Sequence, residues 1–163
     1  EATNGVRFND LLATLKTLPA RSIVLLHPCC HNPTGADLTN AQWDEITEIA
    51  LERGFLPFID TAYQGLGDGL EEDAYGMRVM AEKLPELVIA SSCSKNFGLY
   101  RERTGSITFV TKNADDAKLE RQQFAALQRQ QRHTDHGSSN GPEHPVPVVF
   151  WPNTVDHHHD AKF

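Results

Sequence analysis

The chain has 163 residues, with 15 Lys and Arg against 22 Asp and Glu, and a formal charge of −7 at pH 7. That length suits one domain able to bury a real core, and 39% apolar with 23% charged residues is a globular composition. The acidic balance argues against nucleic acid or an anionic membrane as partner, and no apolar run approaches the roughly 18 residues of a membrane span.

The first residues, EATNGVRFND, lack the basic-then-apolar order of a secretory signal. Three cysteines, two of them adjacent (Cys29 and Cys30), make a poor disulfide framework and suit a reducing compartment, so a cytoplasmic location is expected. Residues 22–27 (SIVLLH) form an apolar, β-branched run and predict a strand buried on both faces. Thr39 followed by Gln42 predicts a capping box. Trp43, Ile46, Ile49 and Ala50 continue at helical spacing, and Gly54 supplies the stop. Residues 55–59 (FLPFI) predict the next strand, which Pro57 moves toward a sheet edge. A helix over 74–84, strands over 87–90 (LVIA) and 106–110 (SITFV), and an amphipathic helix over 114–129 complete the pattern. Strands alternating with helices predict an α/β fold with a mostly parallel sheet, whose ligands sit beyond the carboxyl ends of the strands.

The composition changes along the chain. Residues 113–163 hold six of the eight histidines and the Pro-spaced stretch GPEHPVPVVFWPNT, a bias typical of a tail. The expected organisation is therefore an α/β unit over 1–112 and a divergent Gln/His/Pro-rich segment over 113–163.

Three predicted strands lead into polar residues. PCCHNPTG follows the first and carries Asn32; Asp60 and Tyr63 follow the second. Ser91, Ser92, Cys93, Ser94 and Lys95 follow the third, with Arg101 and Arg103 beyond. Each has an ordinary reading as a turn, cap or solvated residue. His27 and His31 flank Cys29 and Cys30, but adjacent thiols do not easily ligate one ion and no second ligand pair has suitable spacing, so no metal is expected. Taken together, an acid, a phenol, an amide, an amine, hydroxyls and a guanidinium on one crevice suit pyridoxal-phosphate chemistry. The lysine forms a Schiff base, the acid pairs with the pyridinium nitrogen, and hydroxyls with Arg suit a phosphate.

HNPTG (residues 31–35), DTAYQGLG (60–67) and SSCSKNFGLYRER (91–103) resemble the class I pyridoxal-phosphate aminotransferases, in the bacterial aspartate/aromatic branch. The resemblance runs from about residue 2 to 112. It implies the central part of the large, cofactor-binding domain of a fold type I transferase, with pyridoxal 5'-phosphate as cofactor. It implies Lys95 as the Schiff-base lysine and proton shuttle, and Asp60 as the partner of the pyridine nitrogen. Tyr63 and Asn32 would contact the ring oxygen, Asn32 also the substrate carboxylate, and Ser92, Ser94 and Arg103 the phosphate. His27 would stand behind Asp60. The implied reaction moves an amino group between an L-amino acid, aspartate or aromatic, and 2-oxoglutarate, in a homodimer.

The family chain extends further at both ends, where its remaining phosphate donors and substrate arginines lie. Two other readings follow: an inactive truncated piece that acts only by association, or a lyase or decarboxylase on the same fold. The family pattern breaks off after Lys112, and residues from about 119 are expected to be a frame-shifted or otherwise non-native continuation.

Overall fold

The computed structural model describes residues 5–101, 104–134 and 148–152. The elements in chain order are α1 (Phe8–Thr17), β1 (Ile23–Leu26), α2 (Asn40–Arg53), β2 (Leu56–Thr61), α3 (Tyr75–Lys83), β3 (Leu87–Ser92), β4 (Gly105–Thr111), α4 (Ala114–Thr134) and β5 (Val148–Pro152). The strands form one sheet in the order β1-β2-β3-β4-β5, and every neighbouring pair is parallel except β3 with β4. This is the mostly parallel α/β arrangement that the alternation predicts.

The core lies on one face of the sheet. Leu12 and Leu15 of α1, Trp43, Ile46, Ile49 and Ala50 of α2, and Met80 of α3 pack there with Phe55, Ile59, Leu84, Leu87 and Val110. The apolar α2 positions are those the helical spacing singles out. Its start is the predicted capping box: Gln42 N–H donates to Thr39 Oγ1 (3.3 Å) and Thr39 N–H to Gln42 Oε1 (2.9 Å). Gly54 ends it with φ 66°, a left-handed cap that costs glycine little. Helix α1 is missing from the sequence reading. Its start at Arg7 has no side-chain cap, so only the Phe8, Leu11, Leu12, Leu15 spacing could have signalled it.

Two strand expectations are corrected. β1 is an edge strand whose Val24 and Leu26 pack on the core while Ile23 and Leu25 remain 70% and 57% exposed, so it is buried on one face only. Cover on the other face comes from α4, which packs against β4 and β5, with Phe124 edge-on to Phe109 at 5.7 Å. Pro57 is fully buried in a strand flanked by β1 and β3, not at an edge. Leu56 N–H points to β1, where it meets the Ser22 carbonyl, so a donor at 57 would point to β3. Pairing with β3 starts only at Phe58, and the missing N–H forfeits no rung.

The polar ends of two strands lie inside the sheet. β2 runs to Thr61 and β3 to Ser92, so Asp60 pairs with Ala90 and Thr61 with Ser91. β5 comes from the Pro-spaced stretch that the sequence reads as tail, and it pairs with β4 from Ile107↔Val148 to Thr111↔Pro152. The predicted helix over 114–129 runs to Thr134.

Helix α3 approaches α2 at a glycine. A Cβ on Gly76 would collide with the buried Trp43 indole. Gly76→Ala is therefore expected to destabilise the chain by about 1–3 kcal/mol, as overpacking does, read as a lowered urea midpoint. Thr39→Ala, which removes the cap of α2, is expected to cost about 1 kcal/mol in the same measurement.

Candidate active site at the carboxyl ends of three parallel strands

β1, β2 and β3 run parallel and adjacent, so their carboxyl ends open on one edge of the sheet. Every site residue the sequence singles out leaves from these ends, apart from Arg103, which lies outside the described residues. Asp60, still within β2, is held by the sheet, and its side chain is 51% exposed. The imidazole of His27, one residue beyond β1, stands with Nε2 4.0 Å from Asp60 Oδ2. Asn32 is exposed, and its backbone N–H donates to His27 Nδ1 at 3.4 Å. The His27 and His31 rings lie 4.9 Å apart.

Tyr63 is half-buried in the loop after β2, and the Lys95 ammonium sits over its ring, 5.0 Å from the centroid. A cation over a π face is attracted to the ring quadrupole, so this contact joins the β2 and β3 loops. Ser92 closes β3, and its Oγ accepts the backbone N–H of Ser94, a buried residue, at 3.2 Å. Thr61 Oγ1 and Asn96 Oδ1, next in the chain to Asp60 and Lys95, are buried without a hydrogen-bond partner among the described residues.

Two carboxylates that the sequence reading passes over hold the loops. Asp37 accepts the N–H groups of Cys30 (2.6 Å) and His31 (2.8 Å), fixing the turn that carries Asn32. Asp73 is 6% exposed and accepts Gly65 and Gly67 N–H on Oδ2 (2.8 and 3.0 Å) and Asp68 N–H on Oδ1 (2.9 Å). Burial alone would push the Asp73 carboxyl up; the backbone donors of Gly67, Asp68, Gly65 and Gly69 outweigh it and hold the group below its ordinary range. Burial, then the charge of Asp73, pushes the nearby Cys29 thiol up to about 12; burial and Asp37 also raise Cys30. Thiols held protonated in this way are poor nucleophiles and poor metal ligands.

In chemical terms the edge offers an amine, a carboxylate backed by an imidazole, a phenol, an amide and hydroxyls. No group of three or more His, Cys, Asp or Glu arranged to hold a metal occurs among the described residues, and no described helix is long and apolar enough to cross a membrane.

Comparison with known proteins agrees with this chemistry. The family model for class I and II aminotransferases matches residues 1–140. The aromatic-amino-acid aminotransferase of Escherichia coli K12 is 62% identical over 117 residues, which is 72% of this chain and 30% of that protein. The aspartate aminotransferase of Pseudomonas aeruginosa is 43% identical over 148 residues, 91% of this chain and 36% of that protein. An aromatic amino acid aminotransferase solved with 3-indolebutyric acid superposes with a TM-score of 0.77 at 53% identity, over 78% of this chain and 32% of its own. The Burkholderia pseudomallei aromatic-amino-acid aminotransferase covalently bound to pyridoxal phosphate gives 0.60 at 47% identity, over 61% and 25%. The chain thus spans about a third of the length of the relatives it matches. It belongs to the class I and II aminotransferase family.

Proposed function

We propose that this chain is part of a pyridoxal-phosphate-dependent aminotransferase that moves an amino group between an L-amino acid, aspartate or aromatic, and 2-oxoglutarate. The observation that carries the reading is the convergence of Lys95, Tyr63 and Asp60 at the ends of two neighbouring parallel strands, with Lys95 5.0 Å from the Tyr63 ring centre. The donor set fits the cofactor: it has an amine for the aldehyde, an exposed carboxylate for a ring nitrogen, and hydroxyls for a phosphate.

Lys95 would hold the cofactor's aldehyde carbon, and Asp60 its pyridinium nitrogen. Tyr63 and Asn32 would meet the ring oxygen, and Ser92, Ser94 and Arg103 the phosphate. When bound, the cofactor supplies the electron sink that lets a substrate α-proton leave. Asp60 keeps that sink effective, because a carboxylate beside the ring nitrogen favours its protonated form. His27, 4.0 Å behind, limits where the carboxylate can turn. Lys95 would be the amine placed to take the proton from the substrate α-carbon and to give one back. Asn32 has a side-chain amide free to orient the substrate carboxylate.

The aminotransferase relatives favour transfer over lyase or decarboxylase chemistry and over a purely associative piece. Family-type homodimerisation in the cytoplasm belongs to the same reading. The family model runs on to residue 140 and the match to the Pseudomonas aeruginosa aspartate aminotransferase covers 148 residues, so the family likeness continues past Lys112 and past residue 119.

The decisive experiment is borohydride reduction of the 163-residue chain mixed with pyridoxal phosphate, followed by peptide mass analysis. Labelling is expected at Lys95 and lost in Lys95→Ala; labels spread over surface lysines, or none, would overturn the reading for this chain. Asp60→Asn is expected to weaken pyridoxal-phosphate binding about tenfold or more, since it removes a charge-assisted contact; unchanged binding in a fluorescence titration would exclude Asp60 from that role. Pyridoxamine phosphate formed from glutamate would separate transfer from the lyase alternative.

A further inference from the structure

Among the described residues the hydrogen bonds of the Asp73 carboxylate go to loop backbone, and they organise the loop that carries Tyr63. The loop after β2 contains Gly65, Gly67 and Gly69 within five residues, and Gly65 and Gly69 have φ of 90° and 154°. Such a segment has much conformational freedom to lose, and its backbone donors need acceptors. Its internal ties are few: Leu66 N–H bonds to the Tyr63 carbonyl (2.9 Å), and Gln64 Nε2 bonds to the Leu70 carbonyl (2.9 Å). Asp73 supplies the rest, taking Gly65, Gly67 and Asp68 N–H on its two oxygens. Bonds to an ionised acceptor are about twice as strong as neutral ones. The first of them fixes the backbone two residues from Tyr63.

The anchor is itself immobile. Asp73 is buried, its own N–H bonds to the Gly69 carbonyl (3.0 Å), and Ala74 and Tyr75 lead directly into α3, where the Tyr75 hydroxyl donates to Asp44 of α2 (3.0 Å). The β2 loop is thereby tied to the packed α2–α3 pair.

We propose that Asp73 is a positioning residue for Tyr63: by closing over the backbone of residues 65–68 it fixes where the phenol stands relative to Lys95. Its consequence for the cofactor rests on the aminotransferase reading. Its consequence for Tyr63 does not.

The test uses the whole chain and two variants. Asp73→Asn removes the charge and one acceptor. Gly67→Ala keeps the charge but would put a methyl 2.6 Å from an Asp73 oxygen, so it disturbs the same contact without emptying a buried site. In the cofactor-free chain, amide exchange at Gly65, Gly67 and Asp68 is expected to speed up about tenfold or more. The ring signal of Tyr63 in ¹³C-tyrosine NMR, assigned with Tyr63→Phe, is expected to move while that of Tyr75 stays. Borohydride labelling of Lys95 by pyridoxal phosphate should fall in parallel.

Unchanged exchange in a variant that folds would overturn the proposal. So would opened amides with an unmoved Tyr63 ring, which would leave Asp73 as a loop staple only. A Tyr63 ring that moves in a chain whose wild type never labels at Lys95 would support the positioning role and overturn the cofactor reading.

Discussion

The site depends on the parallel register of β1, β2 and β3. Leu26 is level with Ile59, and Ile59 with Ile89, so the three strands reach their carboxyl ends together. A hairpin would send every second loop to the opposite end of the sheet, whereas parallel strands joined by helices send all three to the same one. The crossovers are secured by the packing of α2 and α3 on one face, centred on Trp43 against Gly76. That packing adjoins the loops of the crevice: Trp43 and Gly76 line one cavity with Cys29, Asp37, Gly67 and Asp73. Asp60, Ser91 and Ser92 gain further precision because they are rungs of the ladder, not loop residues.

Much of this was legible in the chain. The Thr39–Gln42 box and the Trp43, Ile46, Ile49, Ala50 stripe gave α2 its start and buried face because both are local signals. The polar residues ending three strands gave the candidate site, since the topology of an α/β sheet decides where such ends meet. Less legible were features set by neighbours. Whether SIVLLH is covered on one face or two depends on what packs over β1. Whether Pro57 is tolerated between two strands depends on where the β2–β3 pairing begins. Helix α1 lacked a cap to announce it, and β5 joins the sheet only through its pairing with β4, a contact separated by dozens of residues. Asp37 and Asp73 escaped notice because their partners are backbone amides, which carry no residue identity.

The aspartates around the crevice divide by what occupies their oxygens. Asp37 and Asp73 are filled by backbone N–H groups, two for the first and three for the second. A carboxylate satisfied in this way is spent on structure: it offsets its own burial and orders a loop, and it has little capacity left for a ligand. Among the described residues Asp60 meets only the His27 imidazole, at 4.0 Å, and keeps half its surface in solvent. An acid fixed in a strand and half in solvent is open to a donor from outside the chain. The same division separates the turn residues from Lys95, whose amine lies over the face of Tyr63. Sequence motifs treat all these acids alike. Their difference lies in the count of donors that the fold has already brought to each: among the described residues Asp37 and Asp73 are taken up by loop backbone, and Asp60 is the acid still open to a partner.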